Sequence, residues 1–223
     1  STHPSGIRYD GYYAEASVEE VLWDLFDSGS RASGDTRPNK VGLGFTPIYQ
    51  VMVGGQKTTP AFTSVFSFLK YLKAANAAAS ANIAALAAAE NITAGDEYEG
   101  GAGQKIYTAV PVNGTVVNAD VNGNPLQTWT TYGPITAGNP GNKLNNRMFF
   151  KFTIATAGSY TITVTPSARD VFFTLNEKGT NTSVDNSNSS GSETLTKVFT
   201  AGTYTVEVGT FGGADTFTVK IQP

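Results

Sequence analysis

Two hydrophobic periods divide the chain near residue 95. Before that point apolar residues recur every three or four positions, which places them on one face of a helix. After it they alternate with polar residues, as in strands that bury one face. The pattern predicts an α+β chain with a helical segment over 1–94, a linker over 95–104 and an antiparallel β-sandwich over 105–223.

Local signals set the expected helix starts. Ser17 and Glu20 form an S-x-x-E capping box, which predicts a helix from Ser17. Trp23 lies beside the apolar stripe of that helix and is expected in the core. Three further helices are predicted, after Thr46-Pro47, after Thr59-Pro60 and over the Ala-rich stretch 77–90.

The strand region carries a turn signal and an internal echo. Asn113-Gly114 separates two alternating segments and predicts a two-residue hairpin. The stretch Ala157–Val164 is echoed by Ala201–Val208, and each copy is a glycine turn followed by a half-buried strand. The echo predicts two equivalent hairpins within one sandwich.

An ordered set of motifs after residue 105 resembles the bacterial pre-peptidase C-terminal family. The set comprises Arg147–Ile154, the Ala-Gly-Ser-Tyr strand, Arg169–Leu175, a polar loop, Ser192–Leu195 and the Ala-Gly-Thr-Tyr strand. The resemblance implies a jelly-roll-like β-sandwich that is appended to secreted bacterial peptidases and is often removed during maturation. It therefore implies a secreted, extracytoplasmic bacterial protein.

Residues 9–90 resemble the last helical part of a family of secreted zinc peptidases. The matching segments are Tyr12–Val18, Val21–Asp27, Gly44–Tyr49 and Thr59–Phe68. Such enzymes hold zinc with His-Glu-x-x-His and a later Glu, whereas this chain has one histidine, His3, and no such motif. No catalytic residue carries over, and the resemblance implies an upstream catalytic domain of the same precursor as a partner.

Composition narrows the function classes. The net charge is −3, no Lys/Arg stripe occurs and no run of 18 apolar residues is present, so neither nucleic acid nor a membrane span is expected. Cysteine is absent, which excludes disulfides and thiolate metal sites. Glu20, Asp24 and Asp27 could pair as acid and base, but a solvated helix face is the favoured interpretation. The chain is expected to be no enzyme.

The remaining candidate sites are ligand-binding ones. Asp96, Glu97 and Glu99 in the linker are the candidate calcium ligands, with a merely solvated linker as the favoured alternative. The loops that begin at Asp120 and at Asp185 start like EF-hand loops and then depart from that pattern. Candidate aromatic contacts for sugars or peptides are Trp129, Tyr132 and Phe211, which could instead simply pack.

Two functional hypotheses result. In the first, the chain is the non-catalytic C-terminal region of a secreted peptidase-like protein and aids export, folding or attachment to a substrate or surface. In the second, it is a stand-alone extracellular binding module for a polysaccharide or a protein. An exposed apolar patch on the helices would favour a missing partner domain.

Overall fold

A computed structural model describes residues 11–12, 14–29, 38, 40–93, 95–98, 107–118, 147–187, 190–211 and 215–223. The described residues group into two compact units. The helical unit contains those up to Thr59 and those over 63–98, and the β unit contains Pro60–Phe62 together with those from Tyr107 onward. The predicted α+β class is confirmed. The predicted domain boundaries stay predictions.

The helical unit is built from short amphipathic helices. In the described residues these are α1 (Glu15–Phe26), α2 (Phe45–Val53), α3 (Gly55–Thr58), α4 (Val65–Ala75), a 3₁₀ turn (Ala77–Ala79) and α5 (Ser80–Ala89). Their buried side chains include Leu25, Phe66, Leu69, Leu72, Ile83 and Leu86. The spacing of these residues follows the helical period of the sequence. None of the described helices has the length and apolar character needed to cross a membrane.

Three predicted helix starts are wrong. Helix α2 begins at Phe45, before the predicted start at Thr46-Pro47. Helix α1 begins at Glu15 after Ala14, without a side-chain cap. Ser17 lies inside it, and its hydroxyl donates to Glu90 Oε2 at 2.8 Å. Helix α4 begins at Val65, where Ser64 and Ser67 form the capping box, rather than after Thr59-Pro60.

The β unit contains two facing sheets. The five-stranded sheet has the order β1-β3-β8-β5-β6, and the four-stranded sheet has the order β2-β9-β4-β7. The strands are β1 (Tyr107–Ala109), β2 (Thr115–Asn118), β3 (Met148–Ile154), β4 (Gly158–Pro166), β5 (Val171–Glu177), β6 (Thr180–Val184), β7 (Glu193–Phe199), β8 (Gly202–Thr210) and β9 (Phe217–Gln222). Among the described strands, all pairs are antiparallel except β1 with β3. The predicted sandwich is confirmed, with one parallel pair at its edge.

Aromatic and branched side chains from both sheets fill the sandwich core. The fully buried phenylalanines are Phe150, Phe152, Phe173, Phe199 and Phe217. Phe150 meets Phe217 and Phe152 meets Phe199 edge-on across the sheets, with ring centroids 6.0 and 5.9 Å apart. The inward positions are the alternating apolar ones of the sequence.

The predicted Asn113-Gly114 hairpin is wrong. The turn exists, with Asn113 at φ +65°, but it passes the chain from one sheet to the other. Strand β1 pairs with β3, while β2 pairs with β9 in the opposite sheet. The Asn-Gly turn is compatible with a hairpin and with a connection between the two sheets. Pairing of β1 and β2 with distant strands selects the second.

The two echoed segments are equivalent, although they are not hairpins. Strand β4 follows β3 in the chain but lies in the opposite sheet. Strand β8 likewise follows β7 and lies in the sheet opposite to it. In each copy the tyrosine hydroxyl donates to the carbonyl four residues earlier, Tyr160 to Thr156 at 2.9 Å and Tyr204 to Thr200 at 3.0 Å. Each echo therefore marks a turn between the sheets that its tyrosine fastens.

Candidate functional sites

Glu97, a predicted calcium ligand, is buried against helix α4. Its Oε2 accepts hydrogen bonds from Lys70 Nζ at 2.6 Å and from the Tyr71 hydroxyl at 2.7 Å. Burial raises the pKa of Glu97, but the bonds from Lys70 and Tyr71 outweigh it and hold the pKa below its usual range. Burial, followed by the charge of Glu97, raises the pKa of Tyr98. This carboxylate therefore joins the linker to the helical unit.

The other two predicted calcium ligands do not complete a site in the described residues. Asp96 is exposed, and its Oδ1 accepts the Tyr98 N–H at 2.8 Å, as in a local turn. Glu99 lies outside the described residues. A calcium site at 96–99 stays a prediction.

One predicted aromatic contact, Phe211, lies at the end of β8 in the β unit. Its ring is 49% exposed and lies 4.9 Å from the Phe172 ring. The Arg147 guanidinium lies 5.1 Å from the centroid of Phe172 and also pairs with Glu207. Together these groups form a half-exposed aromatic and cationic platform. Trp129 and Tyr132 lie outside the described residues.

Among the acids that the sequence places on a solvated face of α1, Asp24 does not face solvent. Asp24 is only 4% exposed. Asp27 accepts from Lys40 Nζ at 2.5 Å and from the Gly29 N–H at 2.8 Å. The bond from Lys40, followed by that from Gly29, holds the pKa of Asp27 below its usual range. Asp27 thus serves as a local tether for the segment around Lys40.

The helical unit exposes large apolar side chains, and the expected burial of Trp23 is wrong. The exposed fractions are 58% for Trp23, 44% for Phe26, 64% for Phe45, 50% for Tyr49, 50% for Met52 and 48% for Val53. We call these six residues the α1–α2 apolar face. Trp23 contacts Phe26 with tilted rings and Phe45 stacks on Tyr49, with ring centroids 5.9 and 5.5 Å apart. The Gly44 N–H donates to Phe26 O at 3.1 Å, which joins the two aromatic pairs.

A second feature that the sequence did not reveal is a cluster of three acids in the β unit. Asp170, Asp185 and Glu193 each place one carboxylate oxygen within 4.8 Å of the other two. Glu193 is fully buried, Asp170 is half-buried and Asp185 is exposed. Their separation along the chain explains why the sequence, in which only the loop beginning at Asp185 resembles the start of an EF-hand loop, does not group the three acids.

Several solved structures are similar to this chain. No protein family matches the chain. No curated protein matches it. The chain is similar to the pre-peptidase C-terminal domain of a Bacillus anthracis collagenase, with 13% identity over 52% of this chain and 93% of that one and a TM-score of 0.35. It is also similar to a CBM35 from Cellvibrio japonicus Abf62 (16% identity, 38% and 77% coverage, TM-score 0.23). A third similar structure is PliG of Aeromonas hydrophila, a periplasmic inhibitor of g-type lysozyme. It is 13% identical over 52% of this chain and 95% of that one, with a TM-score of 0.25.

Proposed function

We propose that this chain is the non-catalytic C-terminal region of a secreted peptidase-like protein. Its helical unit packs on an upstream domain of the same precursor, and its β unit aids export, folding or attachment. All three TM-scores lie below 0.5, so the proposal rests on residues of this chain. The observation that carries it is the α1–α2 apolar face.

The composition of that face supports a protein partner. Contiguous exposed apolar patches on soluble proteins mark interaction sites, and aromatic residues and methionine are enriched at interfaces. Four of the six residues are aromatic and one is methionine. The same helices carry the segments that resemble the end of a zinc peptidase. The single histidine and the absence of cysteine support a region without catalytic chemistry of its own.

Trp23 offers a direct test, because it is one of two tryptophans in the chain. The Trp129→Phe variant leaves Trp23 as the reporter of the face. Acrylamide quenching of its fluorescence is compared between this chain and a protein extended upstream to the start of the reading frame. We expect strong quenching in the chain alone and several-fold weaker quenching in the longer protein. Equal quenching in both contradicts packing of Trp23 on an upstream domain.

Zinc content and casein hydrolysis test the proposed absence of catalysis. The purified chain is expected to contain no stoichiometric zinc and to hydrolyse no casein, because its sequence lacks the ligand set for a catalytic zinc. Metal analysis and a casein assay with and without chelator test both points. Stoichiometric zinc together with chelator-sensitive hydrolysis contradicts the assignment.

The platform around Phe211 favours a second candidate function, that of a binding module for an extracellular polysaccharide or protein. Exposed aromatic rings stack on sugar and peptide groups, and the nearby guanidinium adds a hydrogen-bond donor. Affinity electrophoresis and pull-down against chitin, cellulose, collagen and peptidoglycan test it. Phe211→Ala should weaken retention, while Val198→Ala should not, because Val198 is 74% exposed on β7 in the other sheet. Uniform failure of the folded chain to be retained contradicts this function.

A further inference from the structure

We infer that Asp170, Asp185 and Glu193 form a calcium site at one end of the sandwich. The topology gathers these three residues. Asp170 directly precedes β5, Asp185 directly follows β6, and Glu193 begins β7. Strands β5 and β6 are antiparallel neighbours, so the start of one lies beside the end of the other. Strand β7 belongs to the opposite sheet, so a cation at this place joins the two sheets.

The oxygen spacing fits one calcium ion. Calcium binds oxygen ligands at about 2.3–2.6 Å, so two ligands on opposite sides of the ion lie up to about 5 Å apart. The three carboxylates each contribute an oxygen within 4.8 Å of the others. A single ion can therefore contact all three carboxylates without a change of the strands.

The burial of Glu193 is an electrostatic reason to expect a cation at this cluster. Glu193 is 0% exposed, and buried carboxylates require compensation. Its oxygens accept the N–H groups of Asn186 and Ser187 at 2.7 and 2.8 Å. These neutral donors fasten the residues that follow Asp185 to β7, and so bring Asp185 to Glu193. Because these donors are neutral, they do not cancel the repulsion between the three nearby carboxylates. A bound cation would reduce that repulsion.

An orphaned oxygen on Asp170 is the second, independent observation. Asp170 Oδ1 is buried and has no hydrogen-bond partner among the described residues. A buried carboxylate oxygen without a donor is rare and costly, and it requires an explanation. The main chain of Asp170 is fixed, because its carbonyl accepts the Phe211 N–H at 2.9 Å. A bound cation supplies the missing partner of Oδ1.

The donor set favours calcium over other metals. All ligands in the cluster are oxygens, which suits calcium and magnesium rather than zinc. Magnesium requires a near-octahedral set at about 2.0–2.1 Å, whereas calcium accepts six to eight ligands in flexible geometry. Exposed Asp185 leaves one side open for water ligands that complete the shell. The expected dissociation constant is on the order of 10⁻⁴–10⁻³ M, as in other extracellular modules.

Calorimetric titration of the whole chain with calcium chloride, paired with thermal unfolding in calcium and in chelator, tests the site. We expect one calcium per chain and a higher Tm in calcium. Asp170→Asn and Asp185→Asn should weaken binding about tenfold or more, a loss already common when only a supporting partner of a metal ligand is changed. Asp185 is exposed, so its variant should fold. Glu19→Gln removes one charge from an exposed site on α1 and should bind calcium unchanged.

Several results overturn the site. These are no calcium binding up to about ten times the expected dissociation constant, unchanged binding in both Asn variants, or equal affinity for magnesium. Binding that is lost in Asp96→Asn but kept in Asp170→Asn places the ion in the linker instead. The site does not depend on the proposed upstream domain, because its ligands all belong to the β unit.

Discussion

Replacing Asn176 with aspartate removes the donors that hold Pro60–Phe62 on the β unit. Asn176 is 3% exposed, and its Nδ2 donates to Pro60 O and to Ala61 O, both at 2.9 Å. Thr205 Oγ1 donates to Pro60 O at 2.5 Å. The Phe62 N–H donates to the Tyr107 hydroxyl at 2.9 Å. Asn176 thus supplies two of these four hydrogen bonds.

The Asn176→Asp variant keeps the shape of the side chain while turning its donors into acceptors. Two lost hydrogen bonds destabilise by about 1–3 kcal/mol together. A buried carboxylate that faces two carbonyl oxygens adds a further desolvation cost of about 2 kcal/mol or more. We therefore expect about 3–5 kcal/mol of destabilisation at pH 7 for Asn176→Asp. The deficit of Asn176→Asp should shrink at acidic pH, because the protonated carboxyl regains one donor.

Urea unfolding followed by circular dichroism measures these differences. Thr174→Ala is the matched control on the same strand, since the Thr174 hydroxyl makes only an exposed 3.3 Å contact with Ser183. It should change stability by less than about 0.5 kcal/mol. If Asn176→Asp is as stable as the parent chain at pH 7, the hydrogen bonds from Asn176 to Pro60 and Ala61 do not stabilise the position of this segment.

Three further predictions concern other parts of the chain. Gly209→Ala should destabilise by about 1–3 kcal/mol in thermal unfolding, because its Cβ would lie 2.4 Å from Phe172 Cζ; the double variant with Phe172→Ala should recover part of the loss. Burial raises the pKa of Asp215, but backbone N–H bonds, led by that of Ala168, lower it more, so its folded pKa is depressed. Its stabilisation is therefore present above about pH 4, the ordinary aspartate value, and is lost as pH falls through the folded pKa. In acid titrations Asp215→Asn should be the less stable protein at pH 7 and should converge with the parent near the acid limit. Limited proteolysis should cut first between residues 92 and 106, a stretch with four glycines at 95, 100, 101 and 103; first cuts within the β strands by mass spectrometry contradict this.

The sequence predicted features that depend on periodicity. The 3.6-residue period located the helices, and the two-residue period located strands β3, β4, β8 and β9, because burial on one face leaves a local pattern in the sequence. Strand β6 (Thr180–Val184) has no such pattern and lies in the stretch interpreted from the sequence as a polar loop. The predicted start of α1 failed because the polar residue that resembles its cap has a distant partner. Ser17 resembles a helix cap, yet its hydroxyl donates a hydrogen bond to Glu90, which lies 73 residues further along the chain. Capping patterns cannot reveal such a competing partner.

The candidate sites were less predictable, because they depend on contacts across the fold. Glu97 reads as a solvated linker acid, but Lys70 and Tyr71 lie more than 25 residues earlier in the chain. Trp23 reads as core, whereas it belongs to the exposed α1–α2 apolar face. Asp170 and Glu193 come together only because β5 and β7 begin at the same side of the sandwich.

The two candidate sites of the β unit are physically connected. The Phe211 N–H donates to the carbonyl of Asp170, whose side chain belongs to the proposed calcium site. A cation that fixes Asp170 therefore also restrains the backbone that presents the Phe211 ring. A restrained ring loses less conformational entropy when it contacts a ligand. Retention on a polymer should consequently be stronger in calcium than in chelator, and Asp185→Asn should abolish that difference without touching the ring. Calcium-independent retention that still requires Phe211 would separate the two sites.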